Sequence, residues 1–214
     1  MICDLGLTDY EHAYGVQKDL VARRKLGEID DSIIITEHAP VFTIGRTGDI
    51  ENLLVDKEEL ERNGISVLRV DRGGDITCHA PGQLVAYPVL DLKKRGRDLH
   101  RYMRDLEEIG IQVLMRFGIA ANRQEGKTGI WAERKKIASV GIAASDWVTY
   151  HGISININND LRYFSMINPC GMNAISAISL QALLGNEIDM DTVKMVFIRE
   201  FYRVFGAKNA ILAH

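Results

Sequence analysis

The sequence contains few cysteines, no long apolar run and no large excess of either charge, and each shortage excludes a class of protein. The three cysteines, Cys3, Cys78 and Cys170, are too few and too widely spaced for a disulfide framework, so we expect a reduced, cytoplasmic protein. No apolar stretch approaches the roughly 20 residues of a membrane span, and no basic segment followed by an apolar one predicts a secretory signal. A formal net charge of -3, from 26 basic and 29 acidic residues, gives no general attraction for nucleic acid or an anionic membrane. We expect neither as a partner.

The content and periodicity of the chain predict one α+β domain. With 214 residues, 46% of them hydrophobic, and no repeat or linker, the chain predicts a single domain over residues 1–214. A capping-box pattern at Thr8 predicts a first helix that ends near Gly27. The remaining periodicity predicts helices over 56–63, 98–118 and 191–205, and strands over 32–36, 41–44, 65–70, 84–90, 129–132, 136–144 and 150–157. The predicted architecture is an α/β sandwich, a mixed sheet flanked by helices.

A polar, glycine-rich stretch at residues 72–87 (RGGDITCHAPGQLVAY) predicts a substrate-binding loop. Gly73, Gly74 and Gly82 allow sharp turns and let a ligand approach the main chain, while Arg72 and His79 supply hydrogen-bond donors. The apolar run that follows predicts a buried strand that would hold the loop on a rigid support. A glycine turn that joins two strands without any ligand is the alternative interpretation.

Two other motifs are weaker. Residues 121–128 fit a relaxed A-x4-G-K-T phosphate-loop pattern, but they are bulky and are followed by strand character where such a loop must open a helix. We therefore reject a nucleotide triphosphatase. Cys78, His79, His151 and Cys170 are metal-binding types, but no pair has zinc-like spacing, so we predict no metal site.

Cys170 is a candidate nucleophile. Pro169 and Gly171 place it on a turn, whereas an inert core cysteine is usually found on a strand or helix. Attack on an acyl group requires a thiolate, which a lysine ammonium in contact stabilises. Lys136 opens an apolar strand that would hold its amine in a fixed position. A small buried residue at a turn remains the alternative for Cys170.

Read together, these residues resemble the octanoyltransferases of the lipoate/biotin protein ligase superfamily, which move an octanoyl group from acyl carrier protein to lipoyl domains. Five motifs follow in the family's order: EHAPVFTIGR at 37–46, RGGDITCHAPGQ at 72–83 with Tyr87, KIASVG at 136–141, HG at 151–152 with NIN at 156–158, and NPCG at 168–171. The resemblance implies a lipoate/biotin protein ligase-like fold and an acyltransferase of lipoate biosynthesis and protein lipoylation.

The resemblance also implies roles for individual residues. Cys170 would carry the acyl group as a thioester, and Lys136 would lower the pKa of that thiol and move protons. It implies no cofactor or metal, because the phosphopantetheine of acyl carrier protein delivers the acyl group, and it implies lipoyl domains of 2-oxoacid dehydrogenase complexes and glycine cleavage H protein as acceptors. Cys78 and Ala80 depart from the aromatic residue and the glycine common in the family, which bears on acyl-chain length. The substrate-binding residues would be Arg72, Gly73, Gly74, Asp75, Ile76, Thr77, Cys78, His79, Tyr87, Ser139, Val140, Gly141, His151, Gly152, Ile153 and Ser154.

Several alternatives stay open at the level of sequence. An ATP-dependent lipoate ligase, a cysteine thioesterase and a non-catalytic carrier-binding module could each use parts of this pattern. Backbone amides of Gly141 or of the Cys170–Gly171 turn are candidates for stabilising the oxyanion. Arg134, Lys135 or the basic cluster at 93–97 would steer an acidic carrier protein.

Overall fold

The computed structural model describes residues 1–168 and 176–206, which form nine strands and five α-helices. Three short 3-10 helices, Ile50–Asn52, Leu92–Arg95 and Leu161–Met166, complete the described part of the chain. The strands are β1 (Ile2–Thr8), β2 (Ser32–His38), β3 (Val41–Ile44), β4 (Ser66–Arg69), β5 (Ile76–His79), β6 (Gln83–Val89), β7 (Ile130–Ala132), β8 (Lys135–Ser145) and β9 (Val148–Asn156). The helices are α1 (Tyr10–Leu26), α2 (Lys57–Arg62), α3 (Leu99–Arg116), α4 (Leu180–Leu184) and α5 (Met190–Phe205).

The larger sheet has six strands in the order β1-β2-β6-β9-β8-β7 and is covered on both faces. Only β1 and β2 pair in parallel, and the other neighbours are antiparallel. Along β6, Leu84 and Ala86 pack in the core that contains α3 and α5, whereas Val85 and Tyr87 pack in the core that contains α1. Burial on both faces explains why β6 reads as a continuous hydrophobic run.

The smaller sheet, in the order β4-β3-β5, has its own core. Phe42, Ile76 and Cys78 pack there with Leu60 of α2. The two sheets meet where the Gly73 N–H, in the loop between β4 and β5, donates a 2.8 Å hydrogen bond to the carbonyl of Ile142 on β8. A cavity lies beside this junction.

The predicted α+β class, a mixed sheet flanked by helices, is confirmed. The N-terminal prediction is wrong in one respect, because Thr8 ends an edge strand and does not cap a helix. Asp9, in an extended conformation and without a side-chain capping bond, precedes α1. Strand β1 escaped prediction because Asp4 and Gly6 break its hydrophobic alternation, and its register with β2 shifts between Asp4 and Leu7.

Two further elements were absent from the prediction. Strand β5 lies inside the stretch interpreted as a binding loop, and the five-residue helix α4 is too short to show a period. Among the described residues, no helix has the length and apolar content of a membrane span.

Candidate active site

A cavity of about 490 Å³ lies between the larger sheet and the loop from β4 to β5. Its volume falls within the roughly 300–1,000 Å³ that is typical of small-molecule sites. Cys78 is 1% exposed and packs in the core of the smaller sheet, away from the cavity, and Cys170 lies outside the described residues. The predicted residues that line the cavity are Arg72, Gly73, Gly74, Asp75, Ile76, Thr77, His79, Tyr87, Lys136, Ser139, Val140, Gly141, His151, Gly152, Ile153 and Ser154.

The double-glycine loop is held by the chain that follows β3. Backbone N–H groups of residues 45–47 donate to the carbonyl oxygens of Asp75, Arg72 and Gly74, over 3.0–3.3 Å. A Cβ on Gly45 would lie 2.2 Å from the Gly74 carbonyl oxygen, so the two segments approach too closely for any side chain at position 45. The glycine of the early motif therefore supports the loop of the second motif.

Arg72 braces this loop from within the protein. The residue is 7% exposed, and its Nη2 donates to the Thr43 carbonyl at 2.6 Å and to the Thr43 hydroxyl at 2.9 Å. Its Nε also donates to that hydroxyl, and its Nη1 donates to the Gly73 carbonyl at 3.0 Å. The three bonds to Thr43 fix the loop to β3, and the fourth lies within the loop, so at least part of the guanidinium acts as a structural brace.

Lys136 stands near one end of the cavity, at the start of β8. Its backbone N–H donates to Ser176 O, and its carbonyl accepts from Ile178 N, both at 3.0 Å. Its amine lies 5.5 Å from the centroid of the Trp131 ring, within cation–π range. The main chain and the side chain of Lys136 are therefore both held in place beside the cavity.

His151 departs from the side-chain alternation of β9. Its φ of 54° is in the left-handed region, which is uncommon for a non-glycine residue and is often found at functional sites. Its neighbour Ile153 packs toward α3, but the His151 ring turns the other way, with Nδ1 3.2 Å from Tyr10 OH and Nε2 2.8 Å from Asp71 Oδ1. Because Asp71 only accepts, Nε2 carries the proton and Tyr10 donates to Nδ1.

Asp71 collects several donors around this histidine. Tyr150 OH, Tyr14 OH and Lys18 Nζ donate to it at 2.6, 2.9 and 3.3 Å. Partial burial raises the pKa of Asp71, but the bonds from Tyr150, His151 and Tyr14 outweigh it and hold that pKa well below its usual range. Burial lowers the pKa of His151 to about 4 even though the Asp71 carboxylate opposes the shift, so the ring is neutral near pH 7.

His38 is a second neutral histidine, behind the cavity wall. Its Nδ1 lies 3.1 Å from the Thr8 carbonyl, which can only accept, so Nδ1 carries the proton. Its Nε2 then accepts from the Tyr87 hydroxyl at 2.7 Å. Burial lowers the pKa of His38 to about 4.

His79 is the third neutral histidine of this wall. The Gln83 amide nitrogen donates to the Cys78 carbonyl and to Asn156 Oδ1, which leaves Gln83 Oε1 to accept from His79 Nδ1 at 2.7 Å. Burial, with the nearby His38 ring, lowers the pKa of His79 to about 3. The histidines around the cavity are therefore polar but uncharged near neutral pH, as suits an apolar substrate.

The segment that resembled a phosphate loop borders the cavity. It leads into strand β7 and not into a helix, which confirms the reason for rejecting a nucleotide site. The sequence did not predict that this segment borders the cavity. The only indication was the GIW run that follows, which predicted a strand and therefore a fixed position for the end of the segment. Among the described residues, no group of three or more histidine, cysteine, aspartate or glutamate side chains could hold a metal ion. The lining residues that prediction missed are Tyr10, Val85, Glu125, Gly126, Lys127, Thr128, Trp131, Asn156, Phe164, Ile167 and Ala177.

The two-sheet architecture with its flanking helices is the fold of the lipoate and biotin protein ligases. The chain is similar to a solved structure of a bipartite lipoate protein ligase and its E2 lipoyl domain from Thermoplasma acidophilum, with a TM-score of 0.70 and 16% identity over 95% of this chain and 82% of that chain. Identity at that level shows the fold alone.

The family follows from sequence. The lipoyl protein ligase A/B catalytic domain matches residues 9–202, and the chain belongs to that family. It is 47% identical over 194 residues to an octanoyltransferase of Geobacter metallireducens, which covers 91% of this chain and 88% of the relative. It is 42% identical over 209 residues to an octanoyltransferase of Caldicellulosiruptor saccharolyticus, and that match covers 97% of this chain and 89% of the relative. These relatives confirm the resemblance that the five motifs indicated.

Proposed function

We propose that this protein is an octanoyltransferase that forms an octanoyl thioester on Cys170 and passes the acyl group to a lysine of lipoyl domains. The donor is octanoyl-acyl carrier protein, and the acceptors are lipoyl domains of 2-oxoacid dehydrogenase complexes and the glycine cleavage H protein. The observation that carries the proposal is the position of Lys136 beside a cavity whose walls combine glycine backbone with apolar side chains. A cytoplasmic location is consistent with the free thiols of Cys3 and Cys78.

The dimensions of the cavity suit an octanoyl chain. The lining residues of β8 run from Lys136 to Gly141, which is about 17 Å at roughly 3.3 Å per residue. The seven carbon–carbon bonds of an octanoyl group, each about 1.5 Å, span less than about 11 Å. The chain therefore fits along β8 with its thioester near Lys136 and its tail toward Gly141 and Gly152, which face each other across β8 and β9.

The described residues on either side of Cys170 support its role as the nucleophile. Cys170 is two residues from Asn168, whose N–H donates to the Asn52 carbonyl at 2.7 Å, and Ile167 lines the cavity. On the other side, Ser176 bonds to the backbone of Lys136. Both described flanks of the thiol are thus attached beside the site.

The proposed reaction has two half-reactions. The Cys170 thiolate attacks the carrier-bound thioester, the carbon–sulfur bond to pantetheine breaks, and the departing thiolate takes a proton from the Lys136 ammonium. The uncharged lysine of the lipoyl domain then attacks the acyl-enzyme, an amide forms, and Lys136 accepts the proton that this amine loses as the Cys170 thiolate leaves. Thioester exchange is nearly isoenergetic and the amide is more stable than either thioester, so the proposal requires neither ATP nor a metal.

Distance along β8 argues against Gly141 as the oxyanion donor of this mechanism. Gly141 is about 17 Å along β8 from Lys136, farther than the lysine side chain spans. An acyl carbonyl placed near Lys136 is therefore out of reach of the Gly141 amide. Of the two predicted donors, we retain the Cys170–Gly171 turn, which lies outside the described residues.

The rim near Lys136 is the part of the surface that suits an acidic carrier. Arg134 and Lys135 are exposed at the turn between β7 and β8. The basic cluster at 93–97 stands at the opposite end of the sheet, because Leu92 N donates to Trp147 O at the turn between β8 and β9. We therefore assign carrier steering to Arg134 and Lys135 and not to the 93–97 cluster.

Mass spectrometry tests the nucleophile. After incubation with octanoyl-carrier, the wild-type protein gains an octanoyl mass that hydroxylamine removes, and Cys170→Ala gains none. An adduct that persists in Cys170→Ala would overturn the assignment. Free octanoate in place of acylated lipoyl domain would indicate a thioesterase, and ATP-dependent attachment of free octanoate in Cys170→Ala would indicate a ligase.

A further inference from the structure

Helix α3 carries a fully buried carboxylate that the proposed chemistry does not use. Glu107 has 0% side-chain exposure, and its Oε2 accepts from Arg104 Nη1 at 2.6 Å and from Arg123 Nε at 3.1 Å. Its Oε1 accepts from the backbone N–H of Gly129 at 2.9 Å. A buried charge needs such partners, but the bond to Gly129 does more than neutralise it. It attaches α3 to the chain segment that borders the cavity.

Gly129 is in direct contact with the stem of Lys136. With φ at 130°, it occupies a region that side chains rarely adopt. A Cβ at this position would lie 2.6 Å from Lys136 Cε, 3.3 Å from Lys136 Nζ and 2.6 Å from the Ala138 carbonyl oxygen. The Lys136 side chain therefore packs against the backbone of Gly129 and lies near the ring of Trp131.

We propose that Glu107 is a positioning residue for Lys136 and acts through Gly129. The carboxylate fixes the Gly129 N–H, the Gly129 backbone confines the lysine stem, and the confined stem places the amine where the thioester reacts. Lys127 and Thr128, which precede Gly129, line the cavity, so the same bond also fixes that wall. The inference rests on the proposed function, because the position of the Lys136 amine affects the rate only if Lys136 transfers protons in the reaction.

The chain contains a matched control for the buried carboxylate. Glu200 on α5 also has 0% side-chain exposure and also pairs with two arginines, Arg116 and Arg203. Glu107 bonds to the backbone of Gly129, next to the cavity-lining Thr128, whereas within the described residues Glu200 bonds only to its two arginines. If Glu107 served only to neutralise its arginines, alanine at either position would have the same consequences.

The experiment compares steady-state octanoyl transfer by Gly129→Ala and Glu107→Ala with that by Gly118→Ala and Glu200→Ala. Gly118 also has a positive φ, 78°, but a Cβ there meets nothing within 4 Å. We expect kcat to fall on the order of 100-fold in Gly129→Ala, because a misplacement of about 1 Å of a reacting group has that effect, with KM for octanoyl-carrier changed less than about twofold. Glu107→Ala should likewise lower kcat with little change in KM. The two control variants should keep the wild-type kcat and KM, even if their melting temperatures fall.

Equal kcat values in Gly129→Ala and Gly118→Ala, or in Glu107→Ala and Glu200→Ala, would overturn the positioning role. If Glu107→Ala fails to fold by circular dichroism, the glycine pair alone decides. A Lys136→Met variant separates this inference from the proposed function. Full transfer by Lys136→Met would overturn the role of the lysine itself, whereas loss there together with full transfer by Gly129→Ala would overturn only the inference.

Discussion

The buried histidines predict a loss of stability in mild acid. Burial lowers the pKa values of His38 and His79 from 6.5 to about 4 and about 3, so both rings are neutral in the folded protein where the unfolded chain already binds protons. Stability from a depressed pKa is complete above the unfolded value and is lost as pH falls toward the folded value. Stability is therefore lost between about pH 6.5 and about pH 4. The centroids of the two rings lie 5.6 Å apart, so protonating both in the folded state is unfavourable.

The size of the effect follows from proton linkage. Between about pH 7 and about pH 5, each histidine that stays neutral when folded lowers the free energy of unfolding by about 2 kcal/mol, and the pair lowers it by about 4 kcal/mol. His151, whose pKa is also lowered to about 4 although the Asp71 carboxylate 2.8 Å from its Nε2 opposes the shift, adds a third contribution of about 2 kcal/mol. The value depends mainly on the unfolded pKa, since all three folded values lie at or below about 4.

The assay is urea denaturation at about pH 7 and about pH 5, on the wild type and on His38→Gln. The variant loses stability at both pH values, but the difference between them should shrink by about 2 kcal/mol. His12→Gln, an exposed site on α1, is the control and should show the wild-type difference. An unchanged difference in His38→Gln would show that the His38 ring is charged in the folded protein and would refute the reasoning.

Three further predictions concern the cavity and its rim. Gly45→Ala should destabilise the protein by about 1–3 kcal/mol and slow acyl loading, because its Cβ would lie 2.2 Å from the Gly74 carbonyl oxygen. Gly15→Ala is the control, because a Cβ at that position meets no atom within 4 Å. Equal melting temperatures of the two variants would contradict the predicted clash. Ser139→Phe should shift kcat/KM from octanoyl toward hexanoyl donors about 10-fold, because Ser139 lines the cavity on the same face of β8 as Gly141 and room for two methylenes at about 0.8 kcal/mol each is lost. Unchanged selectivity would place the acyl tail elsewhere. Added salt should slow acyl loading from carrier protein, and alanine at both Arg134 and Lys135 should flatten that dependence; a flat wild-type profile would remove carrier steering.

The sequence alone determined the local elements and the order of the motifs. Helix α3 was predictable because it buries one face, which gives its apolar residues a helical period. Strand β6 was predictable because it is buried on both faces, which gives a continuous apolar run. The double-glycine loop stood out because its glycines lie beside polar donors, although a turn without a ligand was the alternative, and Lys136 stood out through the resemblance of the KIASVG run to the family motif. Strand β1, with its charge and glycine, carried no such pattern.

Only the tertiary structure decided which of these residues act together. It placed Cys78 in a separate core, turned His151 toward Tyr10 through a left-handed φ, and brought Glu107 of α3 to Gly129. Each of these outcomes depends on contacts between segments far apart in the chain. Periodicity reports which face of an element is buried but does not report what covers that face, so the environment of a single side chain is fixed only when the sheets and helices pack.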